Sequence, residues 1–213
     1  MSDTTAAPRL AHIARATSET EIDLTLALDG DGTAQLEMPI PFLRHMLQLF
    51  AAHGGFRLDV LAQGDTDVDA HHLTEDIGLC LGRALRVALG DKSRIARYGE
   101  RHVPMDETLA RAVVDISGRS ACVLQAQFSR DLVGDFPTEL VFEFFKSVAN
   151  EANMAIHLAV LYGDNTHHQV EALFKAFGRA LAEAVTVPSA LHSELGGVSL
   201  GPSVPSTKGL VEW

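Results

Sequence analysis

The stretch His71-His72-Leu73-Thr74-Glu75 recurs as His167-His168-Gln169-Val170-Glu171, two adjacent imidazoles and a carboxylate repeated at one offset (167 − 71 = 171 − 75 = 96). Neighbours on a helix point about 100° apart, whereas residues three or four apart share a face. Adjacent histidines on a helix therefore serve two different sites. His71 with Glu75 suits one metal ion and His72 another; in the second copy Glu171 can pair with His167 or with His168. Imidazole and carboxylate without a thiolate partner suit a borderline divalent ion such as manganese, iron, cobalt or zinc better than calcium. A lone histidine at a helix start is more often a cap or a solvated residue than a ligand, and it is the second copy that turns the balance toward metal.

Each copy follows the same series of elements. Before the first, Pro39 and Pro41 open a helix that carries His45 and the stripe Phe42, Leu43, Met46, Leu47 and Phe50. Phe56, Leu58 and Val60 then alternate as a strand, and Asp69 caps the helix that opens at His71. That helix has its apolar stripe through Leu73, Ile77, Cys80, Leu81 and Leu85, and Gly78 and Gly82 admit a neighbouring backbone one turn apart. Before the second copy, residues 135–138 cap a helix holding Leu140, Phe144, Phe145 and Val148, and a strand runs over 155–162. In this superposition His45 falls opposite the neighbourhood of Glu143.

Upstream of the first series, Ile22, Leu24, Leu26 and Leu28 alternate with polar residues, and Thr33 to Met38 resumes the alternation to complete a hairpin. Upstream of the second lies a cation-rich connection with Lys92, Arg94, Arg97 and Arg101, then strands over 109–116 and up to Gln127 around a turn at 117–119. The expected fold is α+β: two pseudosymmetric half-domains from an internal repeat, each a mixed sheet covered by two helices. The expected division is a mobile N-terminal segment over 1–9, half-domains over 10–95 and 96–190, and a phosphate-binding tail over 191–213. In that tail Pro205-Ser206-Thr207-Lys208-Gly209 offers amides, hydroxyls and an ammonium to an anion.

A chain of 213 residues with 46% hydrophobic content can bury a core, and a net charge of −11 disfavours a general role on nucleic acid or an anionic membrane. Cys80 and Cys122 form no disulfide framework and read as small buried hydrophobes. The first ten residues lack the apolar core of a signal peptide, which points to the cytoplasm.

The pieces at 15–20 (RATSET), 41–46 (PFLRHM), 64–76 (GDTDVDAHHLTED), 104–109 (PMDETL), 115–119 (DISGR), 167–175 (HHQVEALFK) and 205–209 (PSTKG), in this order, resemble the imidazoleglycerol-phosphate dehydratase family over nearly the whole chain. The resemblance implies a lyase of histidine biosynthesis that dehydrates imidazole glycerol phosphate to imidazole acetol phosphate. It implies two manganese ions per active site and a 24-subunit homo-oligomeric shell built from trimers, with sites between subunits. His45, His72, His168 and Glu171 would hold one ion, and His71, Glu75 and His167 the other; Glu143 stands where some relatives carry a histidine for that second ion. Arg44 and Leu49 replace an aspartate and a glutamine of some relatives. By the same carry-over Glu19 and Glu171 transfer protons, Asp106 helps arrange the site, and Arg97, Arg119, Lys175, Ser206, Thr207 and Lys208 grip the phosphate.

The reaction explains such equipment. The departing hydroxyl is on the carbon attached to the imidazole ring, and no carbonyl acidifies the proton on the next carbon. Metal ions on the ring nitrogens would make a metal-bound imidazolate accessible, whose electrons expel hydroxide to leave a diazafulvene. A dinuclear hydrolase would use the same ligands to activate water, and a metal-assembled cage would use them only to join subunits. The cage needs no phosphate grip.

Overall fold

A computed structural model describes residues 8–187 of the chain. Most of the N-terminal segment expected to be mobile, and the expected tail with Ser206, Thr207 and Lys208, lie outside the described residues. The first half runs β1 (Leu10–Ala16), β2 (Thr20–Ala27), β3 (Ala34–Glu37), α1 (Pro41–Gly54), β4 (Arg57–Gly64) and α2 (His71–Leu89). The second runs β5 (Tyr98–Met105), β6 (Thr108–Asp115), β7 (Ala121–Gln125), a small ribbon of β8 (Leu132–Val133) and β9 (Phe136–Pro137), α3 (Leu140–Ala152), β10 (Ala155–Tyr162) and α4 (Thr166–Ala184). The sheets have orders β1-β2-β4-β3 and β5-β6-β10-β7, so in both the strands are arranged first, second, fourth, third. The fold is a mixed α+β duplication, as the repeat predicts.

Three expectations are corrected. Residues 33–38 do not fold back on β2 as a hairpin: β3 pairs parallel with β4, across α1, while β2 is flanked antiparallel by β1 and β4. Alternation along β2, with Ile22, Leu24 and Leu26 buried, reports that one face is covered and says nothing of which strand lies beside it. The cation-rich connection after α2 is likewise half strand. It leads into β5, an edge strand whose Glu100 and His102 lie in its exposed row while Arg101, on the covered row, reaches Glu183 of α4, charges that guard a sheet edge and blur its apolar period. The helix expected to be capped by residues 135–138 starts later, at Leu140, because Phe136 and Pro137 pair with β8.

The halves share one core, because the helices cross-pack: α1 lies against α4, and α2 against α3. Close approach rests on glycine. A Cβ at Gly82 would lie 2.5 Å from the Val148 carbonyl oxygen, and one at Gly178 2.7 Å from the Phe50 carbonyl oxygen. These two glycines are separated by the same 96 positions as the histidine doublets (178 − 82 = 96). Aromatic rings fill the space around these contacts, with Phe50 stacked on Phe177 at 5.4 Å and Phe145 packed on Phe174 at 4.7 Å. Cys80 and Cys122 are free, and burial pushes both thiols up to about 11, so they are inert fillers.

Candidate metal and catalytic site

The cross-packing of α1 on α4 brings donors from the two halves together. His45 on α1 and His167 and Glu171 on α4 place their ligand atoms within 4.8 Å of one another, the one such group of three among the described residues. The Glu171 carboxylate oxygen Oε2 is 3.4 Å from His45 Nε2 and 3.2 Å from His167 Nε2. Its other oxygen, Oε1, accepts from Lys175 Nζ at 2.5 Å. Burial pushes the Glu171 carboxyl up, but Lys175, His167 and His45 outweigh it and hold the group below its ordinary value. The Lys175 side chain is only 14% accessible and also reaches the Met105 sulfur.

Both doublets are fixed by the same device at the start of their helices. The Asp69 side chain accepts from the His71 backbone N–H at 2.7 Å, and Asn165 accepts from those of His167 and His168. Asp69 and Asn165 are again 96 positions apart (165 − 69 = 96). In each doublet the rings are 6.2 Å apart and nearly perpendicular, at 81° and 84°, which is why one doublet addresses two sites.

The second histidine of each doublet meets carboxylates. His72 Nδ1 lies 2.9 Å from Asp65 Oδ2 and 3.8 Å from Glu19 Oε2, and the Asp65 hydrogen bond is the largest cause raising the His72 pKa. His168 Nδ1 lies 2.8 Å from Glu107 Oε2, and its Nε2 is 3.8 Å from Asp106 Oδ2. The hydrogen bond from His168, with the Asn165 backbone N–H, pulls the Glu107 carboxyl down to about 2. Glu19 and the pair Asp106–Glu107 occupy corresponding turns, between β1 and β2 and between β5 and β6. Asp106 takes φ +49°, a conformation its short polar side chain tolerates.

The Glu19 turn is braced on three sides. Its N–H donates to Thr17 Oγ1, its carbonyl accepts from the Asp65 N–H at 3.1 Å, and the next residue, Thr20, donates to buried Asp76, which also pairs with Arg15 at 3.0 Å. Asp65, Glu107 and Asp76 are therefore site residues that sequence reasoning gave no role. Asp65 and Glu107 do carry one signal, lying inside the conspicuous stretches GDTDVDAHH and PMDE.

The remaining expected residues are not gathered with these in one chain. Glu143 on α3 pairs with Lys146 at 2.8 Å, and Glu75 adds to the field raising the Lys146 pKa. His71 and Glu75 join no three-donor group among the described residues. Arg97 precedes β5 and is tied to Asp115 at 2.7 Å, while Arg119 follows β6 and is exposed. Both lie at the end of the second sheet opposite the Asp106 turn. The eight residues of β5 separate the two ends by roughly 26 Å at ~3.3 Å per residue. Among the described residues, Lys175 alone of the expected phosphate groups lies beside the His45–His167–Glu171 cluster.

A family model for imidazoleglycerol-phosphate dehydratase matches residues 38–181. The chain is 51% identical over 203 residues to the imidazoleglycerol-phosphate dehydratase of a Geobacillus species, covering 95% of this chain and 99% of that protein. It is 49% identical over 203 residues to the one from Bacillus subtilis, covering 95% and 100%. Among solved structures, the imidazoleglycerol-phosphate dehydratase of Staphylococcus aureus superposes with a TM-score of 0.77 at 42% identity, covering 84% of this chain and 99% of that one. The IGPD of Pyrococcus furiosus superposes equally well, 0.77, at 33% identity, covering 93% and 99%. The duplicated scaffold and these relatives define an enzyme, a carbon–oxygen hydro-lyase. The chain belongs to the imidazoleglycerol-phosphate dehydratase family, and its reaction is a step of histidine biosynthesis. No helix among the described residues is long and apolar enough to cross a membrane.

Proposed function

We propose that the enzyme dehydrates imidazole glycerol phosphate to imidazole acetol phosphate in the cytoplasm with two manganese ions per active site. The observation that carries the metal reading is the cluster of His45, His167 and Glu171, drawn from opposite halves of the repeat. Its donor set fits the ion: two imidazole nitrogens and a carboxylate that is held ionised, with both thiols protonated and remote in kind from such ligands. His72 and His168 join His45 and Glu171 at one ion, and His71, Glu75 and His167, with Glu143, supply the donors for the second; His167 borders both, since its Nε2 lies 3.2 Å from Glu171. When bound, manganese supplies Lewis acidity toward the substrate's imidazole ring, easing loss of the ring proton and departure of the neighbouring hydroxyl.

The chain's own groups do the rest. Glu19, on its braced turn, transfers a proton between the substrate's carbon chain and the departing oxygen, and Glu171 serves as the second proton carrier. Asp106 arranges the site from the equivalent turn. Lys175, Arg97, Arg119, Ser206, Thr207 and Lys208 hold the phosphate and thereby position the reacting carbons. The separation of Arg97 and Arg119 from Lys175 within one chain supports sites completed by neighbouring subunits, in a 24-subunit assembly built from trimers. The test is an assay of ketone formation before and after complete chelation. Activity should disappear and return with Mn2+, and activity surviving full metal removal overturns the reading. Native mass measurement reads the assembly.

A further inference from the structure

We propose that Glu107 is a positioning residue that fixes the tautomer of His168, keeping the proton on Nδ1 so that Nε2 presents its lone pair to a divalent ion. The inference rests on the metal reading above. It starts from three contacts of one carboxylate. Glu107 Oε1 accepts from the Asn165 backbone N–H at 3.0 Å and from the Thr108 hydroxyl at 2.9 Å, while Oε2 faces His168 Nδ1 at 2.8 Å. Oε1 is thus pinned by two donors. Oε2, an acceptor with no proton of its own, requires Nδ1 to be the donor. A neutral imidazole carries one ring proton, so Nε2 is left as the acceptor, which is the form a metal needs.

The first half arrives at the same arrangement by another route. There His72 Nδ1 faces Asp65 Oδ2 at 2.9 Å. Asp65 belongs to the connection before α2, whereas Glu107 comes from the turn between β5 and β6. The turn after β10 carries its own Gly163-Asp164 where the first half has Gly64-Asp65, yet it is Glu107, from another turn, that meets His168 Nδ1. Duplication of the chain therefore does not account for the match. Two different sources have been brought to the same ring atom, Nδ1, in each half, while the Asp106 carboxylate lies 3.8 Å from His168 Nε2, beyond hydrogen-bonding distance, and leaves that nitrogen's lone pair available.

Glu107→Gln tests this sharply. Its side-chain oxygen remains pinned by Asn165 and Thr108, so the amide nitrogen takes the place of Oε2 and donates to His168 Nδ1. The ring proton must then move to Nε2. Titrating metal-stripped full-length protein with Mn2+ alone, by calorimetry, should show affinity at one site reduced about 10–100-fold, the range for loss of a carboxylate behind a metal-bound histidine. In a His168→Ala background the same change should cost nothing further. Wild-type-like Mn2+ affinity in Glu107→Gln, or losses that multiply in the double variant, overturn the proposal and leave the proposed function standing. A wild type that binds no Mn2+ and still turns over overturns both. Nitrogen-15 NMR of the metal-free wild type reads the tautomer independently of whether the variant folds: Nδ1–H on His168 is expected, and Nε2–H overturns the assignment.

Discussion

The α1–α4 corner and the α3–α2 corner are built from corresponding parts, yet they differ. In the first, His45 faces His167 and Glu171, and three donor atoms converge within 4.8 Å. In the second, Glu143 takes the place corresponding to His45, and its carboxylate is occupied by Lys146. The helix scaffold, the Asp69 and Asn165 side chains that accept from the doublets' backbone amides and the glycines Gly82 and Gly178 are retained in both copies, whereas the leading-helix donor differs, imidazole in one and carboxylate in the other. Duplication has supplied a symmetric frame, and chemistry is differentiated on it by single residues.

The same contrast holds at the two turns that face the doublets. Glu19 lies on the first and Asp106 with Glu107 on the second, but only the Glu19 turn is braced by a buried carboxylate, Asp76, whose counterpart 96 positions on is Ala172. This asymmetry should appear in catalysis as the largest effect. Glu19→Gln should lower kcat by about 10²–10⁴-fold, the usual worth of a proton-transfer group, with manganese content unchanged by elemental analysis. Asp106→Asn should cost less. Equal losses would mean that the two turns are interchangeable, and an unaltered kcat in Glu19→Gln would remove that residue from the mechanism.

The frame itself can be challenged next. Gly82→Ala and Gly178→Ala each place a methyl against a backbone carbonyl of the opposite half, a helix contact with no flexible side chain to yield. Each should destabilise by about 1–3 kcal/mol, as overpacking generally does, and thermal unfolding should show similar losses for the two. A loss at one position only would show that the α1–α4 and α2–α3 contacts are not mechanically equivalent.

Much of this correspondence is legible in the sequence, for a definite reason. The 96-residue offset and helical periodicity are local signals, and they locate α1, β4, α2, α3, β10 and α4 along with His45, the doublets and Glu171. Strand partners are not local. The residues from Leu10 to Ala16 include His12, Ala14 and Arg15 beside the buried Ala11, so β1 has no clear apolar period, and β3 joins β4 in parallel through a helix no strand pattern encodes. The roles of Asp65 and Glu107 are hidden for the same reason: each depends on where a turn is brought by the sheet, and 61 positions separate Glu107 from His168. Arg97 and Arg119 show the converse, since their sequence neighbours give no hint that the β5–β6 pair places both at the far end of the sheet.

The smallest effect bears most directly on the divergence of the two corners. If Glu143 is a ligand for the second ion, the Lys146 ammonium competes with that ion for the carboxylate, because its hydrogen bond to Glu143 must be given up on loading. The Glu143 hydrogen bond is also the largest cause raising the Lys146 pKa, so the ammonium stays charged under any ordinary assay condition. The Lys146 side chain is 43% accessible, so the pair is a weak, solvent-screened one. Lys146→Met should therefore tighten the weaker Mn2+ site only slightly, by no more than about fivefold. Lys175→Met, at the other corner, is not its mirror image, because that side chain is mostly enclosed and is assigned to the phosphate as well as to Glu171. Its signature should be a raised KM for substrate. Unchanged or weakened Mn2+ binding in Lys146→Met would mean that Glu143 is not released to metal, leaving the α3–α2 corner with His71 and Glu75 as its ligands and the divergence at position 143 as a true loss of a donor.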